Sequence, residues 1–316
     1  MHGDCSRAIL LALLTSLGAP PGAWAGSRNY DGICEASAAV LIDKSHVAIA
    51  SDDFQSILTY ERGKAKSITA FDVGDVTDIE AAARIGNTVF WLSSHSLNSS
   101  GEDKKKRKVL FTTDVTADGT LTNVGKVYRN LRADLAAALG RSEERLKPSL
   151  NIEGMADTPD GHLLIGLRGP ETLPGDRAIL IEIGNPKQLV GLETGGATKA
   201  KIERVVTLDL SDGPGTVGRG VRDIVRVGQR YLIIGGSEPD GGNPAPKLFW
   251  WDGQSETTTP GPSADLTGMT PEAVVAWDDQ AGEVFSDNGG SPIEGTECSD
   301  KSPPAKAFFP AVDVKF

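Results

Sequence analysis

The chain of 316 residues carries a formal net charge of −11, and only 6% of its residues are aromatic. An acidic protein repels polyanions, so this charge argues against a nucleic-acid partner. The few aromatic residues and only 3 methionines favour a core of aliphatic strands rather than a helical bundle. A chain of this length buries roughly 75% of its unfolded surface, which is enough for an independent core.

The first 25 residues have the pattern of a signal peptide. Arg7 precedes the apolar run Ala8 to Leu14, and Ala23-Trp24-Ala25 fits a small-x-small cleavage site. The run is too short to cross a membrane, and Cys5 precedes it, which argues against a lipoprotein anchor. We predict export to the periplasm or the medium, with no membrane span after cleavage and a single domain over residues 26–316. The alternatives are an uncleaved anchor and a disordered tail.

One hairpin-like pattern occurs five times along this domain. Each copy has a polar start, a short apolar run, a turn such as Asp160-Gly161 and a second apolar run rich in Val, Ile, Leu and Phe. The copies start at Cys34, Asp78, Asn151, Gly220 and Thr270. Their spacing of about 45–50 or about 70 residues indicates a repeat architecture.

Further strand-like segments follow each hairpin and bring the unit to four strands, as in a propeller blade. The sequence therefore predicts an all-β fold, a β-propeller of five four-stranded blades. Six blades is the alternative, if Thr257 to Leu266 forms a degenerate blade. The last blade lacks an outer strand unless Val312 to Phe316 or Ser27 to Ile33 supplies it.

Insertions interrupt the pattern at three places. Leu131 to Leu146 predicts one short helical insertion that Pro148 ends. The loop Ser94 to Lys108 carries the basic run Lys104 to Lys108, which we interpret as a solvated loop rather than a nucleic-acid patch because the whole chain is acidic. Ser286 to Lys306 is a third insertion, rich in Gly, Ser and Pro.

Two cysteines remain after the signal peptide. Cys34 opens the first blade and Cys298 lies in the last blade. Closing the ring brings these blades together, and an exported chain permits disulfides. We therefore predict a Cys34–Cys298 disulfide, with two unpaired thiols as the alternative.

Polar residues occupy similar places at the two ends of each hairpin. The starts of the first strands carry Glu35, Glu80, Glu153, Arg222 and Glu272, and the ends of the second strands carry Asp52, His95, Arg168, Ser237 and Asp287. A hairpin brings these two ends to one edge, and the first strand of each blade lines the central channel. We expect all of them to ring one mouth of the channel and to bind the ligand there. The opposite face, with His46 and His162 in short turns, is expected to be plain.

Crowded carboxylates share protons, pair with arginines or bind a hard cation. The candidate metal ligands are Glu80, Glu153, Glu272 and Asp287, and calcium is the candidate cofactor. A single histidine argues against a zinc or copper site built from imidazoles. The alternative for each Glu is a structural role in holding the neighbouring blade.

The starts DIEAAA, NIEGMA and TPEAVV and the ends FWLSSHS and LLIGLRGP resemble a bacterial exported family known only as a domain of unknown function. More loosely, they resemble the exported esterase-like phytase group. That second resemblance implies a propeller and a calcium-dependent phosphoesterase. The chain departs from it because Arg222 interrupts the acidic ring and no dense calcium-binding loop is present in the sequence.

The sequence supports two classes of function. The first is a monomeric, exported propeller that binds a small anionic ligand at the mouth, gripped by Arg168 and Arg222. The alternative is a metal-assisted hydrolase of phosphate or carboxylic esters. Its candidate catalytic residues are Glu153, His95 and Arg168.

Overall fold

The computed structural model describes residues 27–316 apart from 53, 170–176, 196, 238–241, 294 and 299–305. The predicted signal peptide lies outside these residues. The described strands are β1 (Ser27–Asp31), β2 (Ala38–Leu41), β3 (His46–Ala50), β4 (Ser56–Glu61), β5 (Ser67–Asp72), β6 (Ile79–Ile85), β7 (Thr88–Ser93), β8 (Leu110–Val115), β9 (Leu121–Tyr128), β10 (Asn151–Asp157), β11 (Leu163–Gly169), β12 (Ala178–Ile183), β13 (Ile202–Leu208), β14 (Gly220–Val227), β15 (Arg230–Gly236), β16 (Lys247–Trp251), β17 (Thr259–Pro260), β18 (Thr270–Ala276), β19 (Ala281–Asp287), β20 (Pro292–Ile293), β21 (Thr296–Glu297) and β22 (Phe308–Lys315).

Twenty of these strands form five antiparallel sheets of four, and β20 pairs only with β21. The first four blades are β2–β5, β6–β9, β10–β13 and β14–β17, each in chain order. The innermost strands β2, β6, β10, β14 and β18 contact one another in sequence and close a ring around a channel. The predicted five-bladed propeller is confirmed, and Thr257 to Leu266 contributes β17, the outer strand of blade four.

The fifth blade closes the ring with both ends of the described chain. Its strand order is β18-β19-β22-β1, so the first strand of the chain is the outermost strand of the last blade. Both segments that the sequence offered as outer strands are therefore used. Glu283 of β19, which has no exposed surface, accepts hydrogen bonds from Tyr30 (2.9 Å) and Trp277 (3.1 Å) and pairs with Arg28 (3.2 Å). Burial raises the pKa of Glu283, and Arg28 opposes that rise.

The predicted disulfide is confirmed. Cys34 and Cys298 are bonded, with 5.5 Å between their Cα atoms and a sequence separation of 264 residues. The bond joins the segment before blade one to the loop of blade five, beside the strand that closes the ring.

The hydrophobic core lies between the blades. Five clusters of buried side chains each join two neighbouring blades, including the pair formed by blade five and blade one. Trp91, Trp251 and Phe285 are almost completely buried in three of these clusters. Alternate residues of each strand thus face the two neighbouring blades, which fixes the register of every innermost strand.

The helical insertion is divided into α1 (Leu131–Ala138) and α2 (Glu143–Leu146). Gly140 ends α1 in the left-handed conformation (φ +64°), which glycine adopts at little cost. The basic loop contains one 3₁₀ turn (Lys105–Arg107), and α3 (Pro186–Leu189) is a single turn that the sequence analysis missed. Among the described residues, no helix is long and apolar enough to cross a membrane.

Candidate functional site

Four of the predicted site residues are aimed into the channel by β-bulges. The pairing of the first two strands shifts register at Glu80 in blade two, at Glu153 in blade three, at Arg222 in blade four and at Glu272 in blade five. A bulge leaves one residue unpaired and reorients its side chain, and bulges are frequent beside active sites. In each of these four blades, the polar residue near the start of the first strand is therefore the residue at the β-bulge.

Blade one differs at this position. The residues described for β2 pair with β3 without a register shift, and Ala38 lies as far from its turn as Ala81 does in blade two. Ser37, not Glu35, is thus level with Glu80. Glu35 lies two residues earlier, where it accepts a hydrogen bond from Ser51 Oγ (3.4 Å) and packs against Gly289 of the last-blade loop.

Two arginines hold the blade-three to blade-five side of the mouth together. Arg222 pairs with Glu272 (Nη1–Oε1 2.7 Å) and approaches Glu153 (Nε–Oε2 3.7 Å), and Arg168 pairs with Glu153 (2.5 Å). Both guanidinium groups also donate to the carbonyl oxygen of Ser237, at 3.3 and 3.4 Å. This sector is a buried ion-pair network in which positive and negative charges compensate one another.

Three carboxylates gather on the other side of the mouth without such compensation. One oxygen atom from each of Asp52, Asp78 and Glu80 lies within 4.8 Å of the others. Arg107 is the one cation described as pairing with this group, through Asp78 Oδ1 (2.6 Å). Asp52 Oδ1 is buried and has no hydrogen-bond partner among the described residues. We call Asp52, Asp78 and Glu80 the acidic triad.

Two carboxylates of the acidic triad, those of Asp78 and Glu80, have raised pKa values. Burial raises the pKa of Asp78 to about 6, although Arg107 and the Ser94 hydroxyl oppose the rise. The pKa of Glu80 is raised well above its usual value, first by burial and then by Asp78 and Asp52. The carboxylates of Glu272 and Glu153 add to that rise, so all of these groups share one mouth.

Sequence reasoning missed Asp78 and Arg107. Asp78 immediately precedes β6 with a left-handed backbone (φ +64°), a conformation that Asp tolerates better than most residues. Arg107 belongs to the basic run that was interpreted as a solvated loop, yet it is largely buried against Asp78. The signal in the sequence was the Asp-Ile-Glu order at 78–80, which places two carboxylates at one strand start.

The His95 side chain makes no hydrogen bond to the acidic triad among the described residues, although its backbone amide donates to the Arg107 carbonyl oxygen (3.0 Å). The residue also has a left-handed backbone (φ +59°), and its side chain has no exposed surface. Burial lowers the pKa of His95 to about 3, and Arg132 and Lys108 lower it further, so the imidazole is neutral. Neither ring nitrogen has a hydrogen-bond partner in the described part of the chain. Counted from the turn of each hairpin, His95 lies one residue beyond the level of Arg168 and Asp287.

Asp287 is the last residue of β19, and its Oδ1 accepts a hydrogen bond from the Gly289 amide (2.5 Å) in the loop that follows. Of the predicted residues, the structure therefore brings together six side chains and one carbonyl. These are Asp52, Glu80, Glu153, Arg168, Arg222, Glu272 and the Ser237 carbonyl oxygen. It places Glu35, His95 and Asp287 in contacts outside this group.

Comparisons with known proteins assign no family and no activity to the chain. No family model and no curated protein matches the chain. Among solved structures, it is similar to glutaminyl cyclase from Myxococcus xanthus (11% identity, TM-score 0.48, 92% of this chain and 95% of that one). It is also similar to hydrazine synthase from Kuenenia stuttgartiensis (12%, 0.38, 87% and 62%) and to a putative 6-phosphogluconolactonase from Bacteroides uniformis (13%, 0.34, 79% and 64%). None of these findings points specifically to the phytase group.

Proposed function

We propose that this protein is an exported, monomeric binding protein that holds a divalent cation in the acidic triad and takes a small anionic ligand through that cation. The observation that carries the proposal is the convergence of three carboxylates, together with a buried Asp52 Oδ1 that has no hydrogen-bond partner in the described part of the chain. Calcium is the first candidate because carboxylate oxygens are the ligands it prefers. The Cys34–Cys298 disulfide supports export, since such bonds persist in oxidising compartments.

The dimensions of the acidic triad suit such an ion. Calcium binds oxygen at about 2.3–2.6 Å, so two oxygens on opposite sides of it are about 5 Å apart. The three triad oxygens lie within 4.8 Å of one another, which is inside that limit. Each oxygen of Asp78 can keep its contact with Arg107 or Ser94 and still offer a lone pair.

Charge also favours a cation over a bare anion at the triad. Three carboxylates face one described guanidinium, that of Arg107, which would leave two negative charges if all three ionised. The arginines that could have gripped an anion, Arg168 and Arg222, already pair with Glu153 and Glu272. A bound cation would remove the excess charge, and its open coordination positions would accept a carboxylate or phosphate oxygen of the ligand.

This proposal changes the metal ligands that the sequence suggested. Only Glu80 is kept from that set, because Glu153 and Glu272 pair with arginines and Asp287 accepts the amide of Gly289. Asp52, which the sequence suggested only as a ligand contact, becomes a metal ligand. Asp78 is new.

The hydrolase alternative is not favoured by this geometry. Its proposed base and anion-binding group, Glu153 and Arg168, bind each other. Its proposed imidazole, His95, has no exposed surface, and neither of its ring nitrogens has a hydrogen-bond partner among the described residues. A general base must lie within hydrogen-bond reach of the proton that it removes.

Calcium should raise the thermal midpoint of the protein at pH 8 by about 5 °C at a concentration a hundred times its dissociation constant. The increase should be lost in Asp52→Asn and Glu80→Gln and retained in Glu144→Gln, which changes an exposed carboxylate on α2. Differential scanning calorimetry with EDTA or calcium measures it.

The pH dependence provides an internal control. Protons compete with the cation for carboxylates whose pKa is raised, to about 6 for Asp78. The calcium effect should therefore shrink as the pH falls from 8 to 5. No calcium effect in the wild type, or an equal effect in Glu80→Gln and Glu144→Gln, would refute the proposed site.

A further inference from the structure

A second cavity, of about 370 Å³, occupies the end of the channel opposite the acidic triad. Every innermost strand contributes consecutive residues from its second half. These runs are Ala39–Leu41, Ala82–Arg84, Met155–Asp157, Ile224–Arg226 and Val274–Ala276, followed by Trp277. The wall is mostly aliphatic, and its small alanines leave room along the axis. The face that the sequence analysis expected to be plain therefore carries a cavity of ligand size.

The charged residues at the rim of this cavity differ in the partners that they have. Both acids are hydrogen-bonded: Asp157 pairs with Arg226 (2.5 Å), and Asp43 contacts His46 Nδ1 (2.8 Å), which offsets the charge of Asp43 only when His46 is protonated. Arg84 donates to backbone carbonyls, including that of Gly86 (2.8 Å), and has no carboxylate partner among the described residues.

Lys44 is the second uncompensated cation at this rim. It is exposed and, within the described part of the chain, has no ion-pair partner. Arg84 donates to the carbonyls of residues 41 and 42, which places its guanidinium on the turn that carries Lys44. Two positive groups from blades one and two thus lie at one sector of the rim in a chain of net charge −11.

We propose that this cavity binds a small amphipathic anion. Its apolar body would lie along the aliphatic wall, and its anionic head would lie at Lys44 and Arg84. Ligand cavities of about 300–1,000 Å³ combine this kind of apolar lining with a few convergent polar groups. The acidic triad at the far end of the channel repels the head, so the two ends of the channel favour one orientation of the ligand.

This site is independent of the cation site, because it uses other residues at the other end of the same strands. Octane-1-sulfonate and octyltrimethylammonium are suitable probes, since they share one apolar chain and differ in the sign of the head. The sulfonate should bind with a stoichiometry of one, and the ammonium should bind at least about tenfold more weakly. Isothermal titration calorimetry measures both, and the fluorescence of Trp277 gives a second signal from the cavity wall.

Lys44→Glu should weaken the sulfonate by about tenfold, and Arg84→Gln should weaken it in the same direction. Lys199→Glu is the matched control, because it makes the same charge change at an exposed residue outside the cavity wall. Lys44 is exposed, so its variant should fold as the wild type does. The proposal is overturned by any of three results: no saturable sulfonate binding, equal affinity for the two probes, or equal effects of Lys44→Glu and Lys199→Glu.

Discussion

Removing the Cys34–Cys298 disulfide should lower the free energy of unfolding by about 4 kcal/mol, close to the 5 kcal/mol limit that chain entropy sets for so long a loop. The bond encloses almost the whole described ring, because its cysteines are separated by 264 positions in the sequence. The contacts of Glu283 with Arg28 and Tyr30 also close the ring, but they exist only in the folded state. Unlike these contacts, the disulfide also restricts the conformations of the unfolded chain.

Urea denaturation of the Cys34→Ala/Cys298→Ala variant measures this loss. Alanine is preferred to serine because both cysteines are buried, and a hydroxyl there would add a separate cost. Reductant should lower the stability of the wild type towards that of the variant and leave the variant unchanged. A loss below about 1 kcal/mol would mean that strand pairing alone closes the ring.

Replacing Arg222 by Leu should cost about 3 kcal/mol, because it leaves Glu272 buried without its described guanidinium partner. Arg222 is only 4% exposed, and it lies between carboxylates of blades three and five. Chemical denaturation of the wild type and the variant at pH 8 measures this loss.

Arg226→Leu is the matched control on the same strand. Its partner Asp157 and its own side chain are 22% and 33% exposed, so solvent screens this pair. We expect it to cost no more than about 1 kcal/mol. Equal losses for the two variants would show that the mouth network contributes nothing beyond a surface ion pair.

The propeller could be predicted from the sequence because the features that repeat are determined directly by backbone geometry. Apolar runs of strand length and turn residues such as Asp160-Gly161 recur at blade spacing. The disulfide followed from topology, since ring closure makes the first and last blades neighbours. By contrast, the runs of the innermost strands that line the second cavity look like ordinary strand interior. The sequence therefore contained no sign of that cavity.

The candidate site was predicted less completely because side-chain direction depends on register. A bulge reorients Glu80, whereas in blade one Ser37 lies at that level and Glu35 lies two residues earlier. A one-residue difference in turn length separates His95 from the level of Arg168. Register changes of this kind reverse the direction of a side chain, and residue counting alone does not detect them.

The ion pairs at the mouth of the channel could not be predicted from the sequence either. The sequence analysis counted Arg168 and Arg222 as groups available to an anion, but both lie within 4 Å of carboxylates from the same ring. The pairing divides the mouth into a compensated sector and the acidic triad. That division is the reason for assigning the cation to Asp52, Asp78 and Glu80 instead of to the repeated glutamates.

Anomalous diffraction from crystals grown with manganese, a substitute for calcium that also prefers oxygen ligands, tests the cation site most directly. Our account predicts one strong peak within about 2.5 Å of oxygen atoms of Asp52, Asp78 and Glu80, and its loss in Glu80→Gln. A map with no peak at these three carboxylates, or with its strongest peak at another group, would contradict it.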